Sequence, residues 1–350
     1  MADLMYVQDA EREDLRTFAR MTQADLKGYA FAKVFPVITV SEKGGKIWVA
    51  PKGLTNARGT KNRTNGTALT ATQKATVEIS YTTDRVEGRS QIYENEMHGF
   101  ADMNAACQAG AEDAGRKVLN MLEYEAAGKI FTSVRKTAKV TLADHKVMSL
   151  LQGAAKDVRA FGKAFLYLSD AALLKLCDIP EIRRRLEIGT KATGDVGYLA
   201  LNDEKVLATV STLLGFYGIA VFDSDVVGTD YDNYVAVVAV RPETLGASSD
   251  AVRSLAKTRA IFGATFVYVP QGAPAEEPFA MSQSADRTEK CNYFDAEGSV
   301  VSMGFVEAVA KTGDTSKMSE NGGAVVCEFA SAYTEYAVPV VNVTTAQAGG

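Results

Sequence analysis

The chain has 350 residues, of which 47% are hydrophobic and 23% are charged, so it is long and apolar enough to bury one large or two medium cores. Its formal net charge of −5 at pH 7 means that the protein as a whole is disfavoured from binding nucleic acid or an anionic membrane. The acidic start of the sequence argues against a secretory signal, and no apolar run approaches the roughly 20 residues of a membrane-spanning helix, so a cytosolic protein is expected.

Residues 1–40 are predicted to form an N-terminal arm. From Leu4 to Ala32 the sequence is charged and predicts only a short helix on an extended segment, with a thin apolar stripe of Leu15, Phe18 and Met21. The arm ends in the β-rich run Val34–Val40. Because few apolar side chains are available for burial, we expect the arm up to Lys33 to lie outside the main core.

The segment Ser41–Ala75 is a basic region in an otherwise acidic protein. Against the single acid Glu42 it carries seven positive side chains, which are Lys43, Lys46, Lys52, Arg58, Lys61, Arg63 and Lys74. Residues alternate in Lys46–Ala50 and Thr76–Tyr81 as they do in strands, and Asn65-Gly66 between them is a strong tight-turn dipeptide. This pattern predicts a long β-hairpin that projects from the body and has little core of its own.

A long amphipathic helix is predicted for Ala101–Phe131, with a length of about 45 Å. Apolar residues recur there at intervals of three and four, which is the spacing of one helix face: Met103, Cys107, Ala111, Ala114, Val118, Met121, Leu122 and Ile130. The other positions are charged and are expected to meet solvent or a partner: Glu112, Asp113, Arg116, Lys117, Glu123, Glu125 and Lys129.

After Thr141 the sequence changes to alternating helical and β-rich runs, which predict a mixed α/β domain. Helices are predicted for residues 142–161 and 170–186, on either side of a strand at 164–168. Further strands are predicted at Ile219–Phe222, Tyr234–Val240, Phe266–Val269, Ser299–Met303, Val325–Phe329 and Tyr336–Val343.

No cluster of residues predicts catalysis or metal binding. The two histidines, His98 and His145, lack a second ligand at metal-binding spacing. Gly189–Gly194 has the glycine spacing of a phosphate-binding loop, but Asp195 stands where a lysine would contact phosphate. The four cysteines are far apart and are predicted to be buried thiols. We therefore predict no catalytic, cofactor-binding or metal-binding residue and no cofactor.

Taken in order, these parts resemble the Hong Kong 97-type major capsid proteins of tailed bacteriophages. The similarity is carried by Lys33–Val37, Gly110–Leu119 and Leu213–Val221, and more by the order of the elements. The resemblance implies an α+β capsid fold with an N-terminal arm, an extended β-hairpin loop, a peripheral domain with a long spine helix, and a mixed α/β axial domain. The implied division is arm 1–40, extended loop 41–89, peripheral domain 90–135, axial domain 136–320 and returning C-terminal strands 321–350.

The resemblance implies a structural protein rather than an enzyme. Its copies are expected to form the hexamers and pentamers of an icosahedral virion shell, assembled in the host cytoplasm around double-stranded DNA that is bound without sequence specificity. Met1–Val40 has no room for the long scaffolding region of some members, so a separate scaffold, or none, is expected beside portal and decoration proteins. Two alternatives stay open: an encapsulin-like compartment for protein cargo, and a metabolic α/β enzyme.

The basic segment Ser41–Ala75, called the basic loop below, is the candidate contact between subunits. Its charges favour an acidic surface of a neighbouring copy that includes acids of the spine helix. Trp48 is interpreted as an apolar anchor at this interface, although aromatic residues among positive charges also fit a nucleic-acid groove. The predicted inter-subunit residues are Lys46, Trp48, Lys52, Arg58, Lys61, Arg63, Lys74, Glu112, Asp113, Glu123 and Glu125.

Overall fold

The structure is a computed structural model that describes residues 10–11, 28–50, 76–132, 140–142, 146–159, 161–184, 204–259, 261–273, 278–286, 288–305 and 323–330. The strands are β1 (Ala10–Glu11), β2 (Val37–Val40), β3 (Gly44–Val49), β4 (Val77–Thr82), β5 (Asp84–Tyr93), β6 (Val140–Leu142), β7 (Lys163–Ser169), β8 (Gly218–Phe222), β9 (Tyr234–Val240), β10 (Gly263–Tyr268), β11 (Ala280–Asp286), β12 (Cys291–Gly304) and β13 (Ala324–Phe329). The helices are α1 (Ala30–Val34), α2 (Met103–Thr132), α3 (Val147–Val158), α4 (Asp170–Asp178), α5 (Glu204–Leu214), α6 (Ser224–Val227) and α7 (Ser249–Thr258).

Most of the predicted elements are present. The long helix is confirmed as α2, and the strands predicted between residues 164 and 329 correspond to β7, β8, β9, β10, β12 and β13. The helix predicted for 142–161 is shorter, because β6 comes first and α3 begins at Val147. The helix predicted from Asp170 is broken at Ile179: α4 ends at Asp178, and residues 180–184 are helical again from Pro180 onward. Strands β5 and β11 are unpredicted additions, and Tyr336–Val343 lies outside the described residues.

A six-stranded sheet packs against α2. Its order is β1-β11-β12-β10-β2, β5 also pairs with β12, and every pair is antiparallel except β10 with β2. Two glycines let α2 approach this sheet closely. A Cβ on Gly88 of β5 would lie 2.2 Å from the carbonyl oxygen of Ala114, and one on Gly110 would lie 2.3 Å from the ring of Phe294. Gly88 therefore permits the strand and helix backbones to touch, and Gly110 lets the Phe294 ring pack against the helix.

A five-stranded sheet has the order β6-β13-β9-β7-β8, with parallel pairing at both ends and antiparallel pairing in the middle. One face packs on α3, α4 and α5, and the other packs on α1 and the C-terminal half of α2. Because both faces are covered, the central strand β9 is an almost continuous apolar run in the sequence. Helix α2 therefore lies between the two larger sheets.

The strands of the predicted hairpin are confirmed, and their base is part of a core. β3 and β4 pair antiparallel from Gly44↔Thr82 to Val49↔Val77. Their inward side chains pack with β2, β10 and α7, and the Tyr81 ring stacks on Phe266 at 4.4 Å. The expectation that the hairpin has little core is therefore wrong at its base. Residues 51–75 lie outside the described residues, and the boundary expected at residue 89 falls inside β5.

The end of the predicted arm belongs to the body of the protein. Phe31 and Phe35, one helical turn apart, are both 0% exposed, and Ala30 and Val34 are buried beside them. The expectation that the arm lies outside the core as far as Lys33 is therefore wrong. Val34 and Phe35 come from the run that the sequence pattern assigned to a strand, whereas Ala30 and Phe31 come from the preceding segment, which was expected to bury little.

Two truncations are expected to separate the arm from its anchor. Removal of residues 1–27 should leave the melting temperature close to that of the full chain, whereas removal of residues 1–33 should lower it strongly. The longer deletion removes Phe31, and loss of one buried Phe side chain costs about 3–5 kcal/mol. Thermal melting of both truncated chains measures the difference. Equal melting temperatures would show that α1 adds nothing to the fold.

Candidate subunit-contact surface

The hairpin base presents Lys46 and Trp48 on its outer face. Strand β3 alternates between the core and solvent, so Ile47 and Val49 point inward while Lys46 and Trp48 point outward. The Lys46 ammonium forms an ion pair with Glu78 of β4, which neutralises its charge locally. The Trp48 side chain is 42% exposed, which is unusual for the largest apolar residue type. Its exposure agrees with a contact made outside the subunit. The other loop candidates, Lys52, Arg58, Lys61, Arg63 and Lys74, lie outside the described residues.

Glu112 and Asp113 lie on the accessible side of α2. Glu112 is exposed and accepts a hydrogen bond from Gln108 Nε2 at 2.9 Å. Asp113 forms an ion pair with Lys117 at 2.8 Å. Partial burial acts to raise the pKa of Asp113, but hydrogen bonds from Lys117 and Ser90 outweigh it and hold that pKa below its ordinary value. Asp113 is therefore already engaged within the subunit, whereas Glu112 is available to a partner.

Glu123 does not belong to an exposed acidic surface, which corrects the sequence-based expectation. Its residue is only 2% exposed. One carboxyl oxygen accepts a hydrogen bond from the Tyr167 hydroxyl at 2.8 Å, and the other accepts one from the Phe31 amide at 3.2 Å. Burial raises the pKa of Glu123 to about 7, against the lowering effect of the Tyr167 hydrogen bond. Helical periodicity placed it outside because only one buried stripe was assumed for α2.

Glu125 is half-buried on the side of α2 that faces β12. Burial raises its pKa to about 6, while Lys129 acts in the opposite direction. The backbone of Ser302 in β12 also acts to lower the pKa of Glu125. Of the four acids expected to face a neighbour, Glu112 is thus the most accessible, and the structure does not bring the four together as one patch.

Two exposed apolar residues on α2 were missed by the sequence pattern. Met121 is 45% exposed and Tyr124 is 52% exposed, although Met121 was expected in the buried stripe. They are three residues apart and therefore lie side by side on the helix surface. The signal that could have found them is that Met121 and Leu122 are adjacent, so both cannot face the same side of a helix.

The outer face of β5 and β12 is charged but balanced. Arg85 pairs with Glu297 at 2.7 Å, and Arg89 pairs with Asp295 at 2.6 Å. These partners are more than 200 residues apart, so only the register of the two strands reveals them. Because each positive charge has an acidic partner in the same subunit, this face carries no surplus charge of the kind that attracts a nucleic acid.

The described part of the chain offers no cluster of histidine, cysteine and acidic side chains that could hold a metal ion. Within the same described ranges, the helices are too short or too polar to cross a membrane. The cysteines are free thiols, and Cys107, Cys291 and Cys327 are buried as expected, whereas Cys177 is partly exposed. His145 and Gly189–Gly194 lie outside the described residues.

Comparison with solved structures decides the fold. No family model matches the sequence, and no curated protein matches it either. The structure is similar to that of a phage-related protein from Bordetella bronchiseptica RB50, with a TM-score of 0.56 and 16% sequence identity over 92% of this chain and 98% of that one. The chain has the Hong Kong 97-type capsid fold. The predicted α+β class with this capsid fold is thereby confirmed.

Two further structures with this fold are less similar. A virus-like particle from Pyrococcus furiosus has a TM-score of 0.45 and 12% identity, with 90% of this chain and 98% of that chain covered. The mature capsid of bacteriophage PhiM1 has a TM-score of 0.43 and 11% identity, with 86% and 87% covered. In the Hong Kong 97-type fold the long helix α2 corresponds to the spine helix, and the name is used for it below.

Proposed function

We propose that this chain is a major capsid protein of a tailed bacteriophage, whose copies form the hexamers and pentamers of an icosahedral shell around double-stranded DNA. The observation that carries the proposal is the capsid fold, which in the comparison with the Bordetella protein extends over 92% of the chain. A fold by itself does not determine a function. The exposed Trp48, Met121 and Tyr124 support the proposal, because self-assembly requires large apolar groups that one subunit leaves uncovered.

The division into domains is part of the proposal. The extended loop is the hairpin of β3 and β4, and it ends near Thr83 because β5 joins the six-stranded sheet. The spine helix and the six-stranded sheet form the peripheral domain. The five-stranded sheet with α3, α4 and α5 forms the axial domain. This division ends the loop earlier than the sequence predicted and moves β10, β11 and β12 from the expected axial domain to the peripheral domain. It also places β2, expected in the arm, in the peripheral sheet, and β13, expected among the C-terminal strands, in the axial sheet.

The hairpin of one subunit is proposed to lie across the spine helix of the next. Trp48 would then meet Met121 and Tyr124, which are the kind of large side chains concentrated at interface centres. Glu112 supplies a negative charge for the basic loop. Glu123 takes no part, because its carboxyl group is buried inside its own subunit.

Reversal of three loop charges together tests this contact. The variant Arg58→Glu, Lys61→Glu, Arg63→Glu is expected to fold but to form no closed shells. Each exposed ion pair is worth only about 0–1 kcal/mol, so single reversals should have little effect. The triple reversal replaces attraction by repulsion at every copy of the interface, and small losses multiply over a shell. Negative-stain microscopy and sedimentation velocity measure the closed particles at low and moderate salt.

A matched control makes the same charge change elsewhere. Lys156→Glu, Arg159→Glu and Lys257→Glu alter exposed residues at the ends of α3 and α7, and this variant is expected to assemble. Normal shells from the loop variant would contradict the proposed contact. If the purified wild-type protein forms neither shells nor hexameric rings, the capsid function itself is contradicted. Extraction of the particle contents distinguishes double-stranded DNA from the protein cargo of a compartment.

A further inference from the structure

The buried carboxyl group of Glu123 joins three elements that are distant in sequence. This group lies on the spine helix and accepts two hydrogen bonds. One comes from the Tyr167 hydroxyl of β7 at 2.8 Å, and the other comes from the Phe31 amide of α1 at 3.2 Å. The nearby amide of Ala30 also acts to lower the pKa of Glu123. The first amides of a helix have no partner within that helix, and Tyr29 at the N-cap of α1 makes no side-chain cap. Glu123 therefore caps α1 from another helix.

The surroundings of this carboxyl group are mostly neutral. Tyr167 is itself buried, and its pKa is raised well above the ordinary value, first by burial and then by the charge of Glu123. The positive charge of Lys33 in α1 acts to lower the pKa of Glu123. Tyr231, in the 3₁₀ turn Thr229–Tyr231, acts to raise the pKa of Tyr167. Near by, the Tyr29 hydroxyl donates to Asn120 Oδ1 at 3.1 Å, one helical turn before Glu123. The first turn of α1 is thus held to the spine helix by polar contacts, of which those made by Glu123 are buried.

We propose that Glu123 makes the attachment of α1 to the spine helix responsive to pH. With the carboxyl group protonated, the first turn of α1 stays docked over the buried carboxyl. With the group ionised, opening of that turn is favoured because it returns the charge to water. Opening of this turn detaches the start of α1 from the spine helix.

The direction of the effect follows from proton linkage. Burial raises the pKa of Glu123 from 4.5 to about 7 in the closed state, whereas the open state has the ordinary value. The closed state therefore binds the proton more tightly, and its advantage is complete below pH 4.5 and lost as the pH rises to about 7. Acidification within this window should tighten the attachment of α1, and a return to neutral pH should loosen it.

Amide hydrogen exchange measures this opening directly. In the wild-type protein, the protection of a peptide covering residues 28–36, corrected for intrinsic exchange, is expected to fall by roughly ten- to a hundredfold between pH 5 and pH 7.5. Protection of β9 in the same sample reports global unfolding and should change less. The Glu123→Gln variant removes the titrating group, so its α1 protection should be nearly the same at both pH values.

Glu125 provides a matched control, since it is two residues away on the same helix and its pKa is also raised, to about 6. Its carboxyl group faces β12, so Glu125→Gln should keep the pH dependence of α1. Should Glu123→Gln fail to fold, Tyr167→Phe removes one donor to the carboxylate and should shift the loss of protection to higher pH. A wild-type α1 equally protected at both pH values, or an unchanged pH dependence in Glu123→Gln, would overturn the proposal. Because the measurement needs no assembled shell, a negative result would leave the proposed capsid function unaffected.

Discussion

Leu122→Asp is expected to prevent the chain from folding. Leu122 is 0% exposed and lies on the part of the spine helix that is enclosed by the main core. An Asp at this position would bury a carboxylate without a charged or hydrogen-bonding partner, or would leave a protonated acid among apolar side chains. Either outcome is severe for a protein whose total stability is on the order of 5–15 kcal/mol. The soluble fraction and the thermal melting curve measure the loss.

Met121→Asp is the control, because it places the same side chain one residue earlier on the same helix. Met121 is 45% exposed, so its replacement should keep the wild-type melting temperature to within a few degrees. If the capsid proposal holds, the same variant should also weaken assembly, since it puts a charge on the exposed apolar pair. A Leu122→Asp protein that melts like the wild type would mean that the buried face of the spine helix is wrongly assigned.

The elements that could be predicted from sequence are those whose burial is visible in their own residues. The spine helix was found from apolar residues spaced three and four apart, although it is buried on more than one side, and β9 is an apolar run because both of its faces are covered. The hairpin strands alternate as half-buried strands do. In each case burial of the element leaves a direct trace in its own residues.

Strand β5 escaped prediction for a physical reason. Its inward positions are Val86, Gly88, Ser90 and Ile92, of which two are small or polar. The spine helix lies so close to this strand that larger side chains do not fit at Gly88. The usual alternation of large apolar and polar residues is therefore absent, although the strand is paired over its whole length with β12.

The candidate surface was harder to predict than the fold. Glu123 was placed outside because a helix covered on one side has a single buried stripe, whereas the spine helix is covered by both larger sheets and by α1. Its donors on Phe31 and Tyr167 are 92 and 44 residues away, so no local pattern reveals them. The alternation of β3 did place Lys46 on the outer face, but its pairing with Glu78 depends on the register of the hairpin.

Gly88→Ala is expected to destabilise the protein by about 3 kcal/mol or more, which is within the range of severe core substitutions. The added Cβ would lie 2.2 Å from the carbonyl oxygen of Ala114, and that atom belongs to the backbone of the spine helix. A side chain could rotate away from such a contact, but a helix backbone can only be displaced from the sheet. Displacement would also pull Val118 and Leu122 out of their packed positions.

Gly153→Ala is the matched control for this substitution. Gly153 lies inside α3, where an added Cβ meets nothing within 4 Å, so Ala should raise stability by up to about 1 kcal/mol through its better helix propensity. Chemical denaturation of both variants gives the two free-energy changes with opposite signs. A Gly88→Ala protein as stable as the wild type would show that the spine helix and β5 are farther apart than described. In that case the absence of a large side chain at residue 88 would need a cause outside the subunit, such as a close contact in the assembled shell.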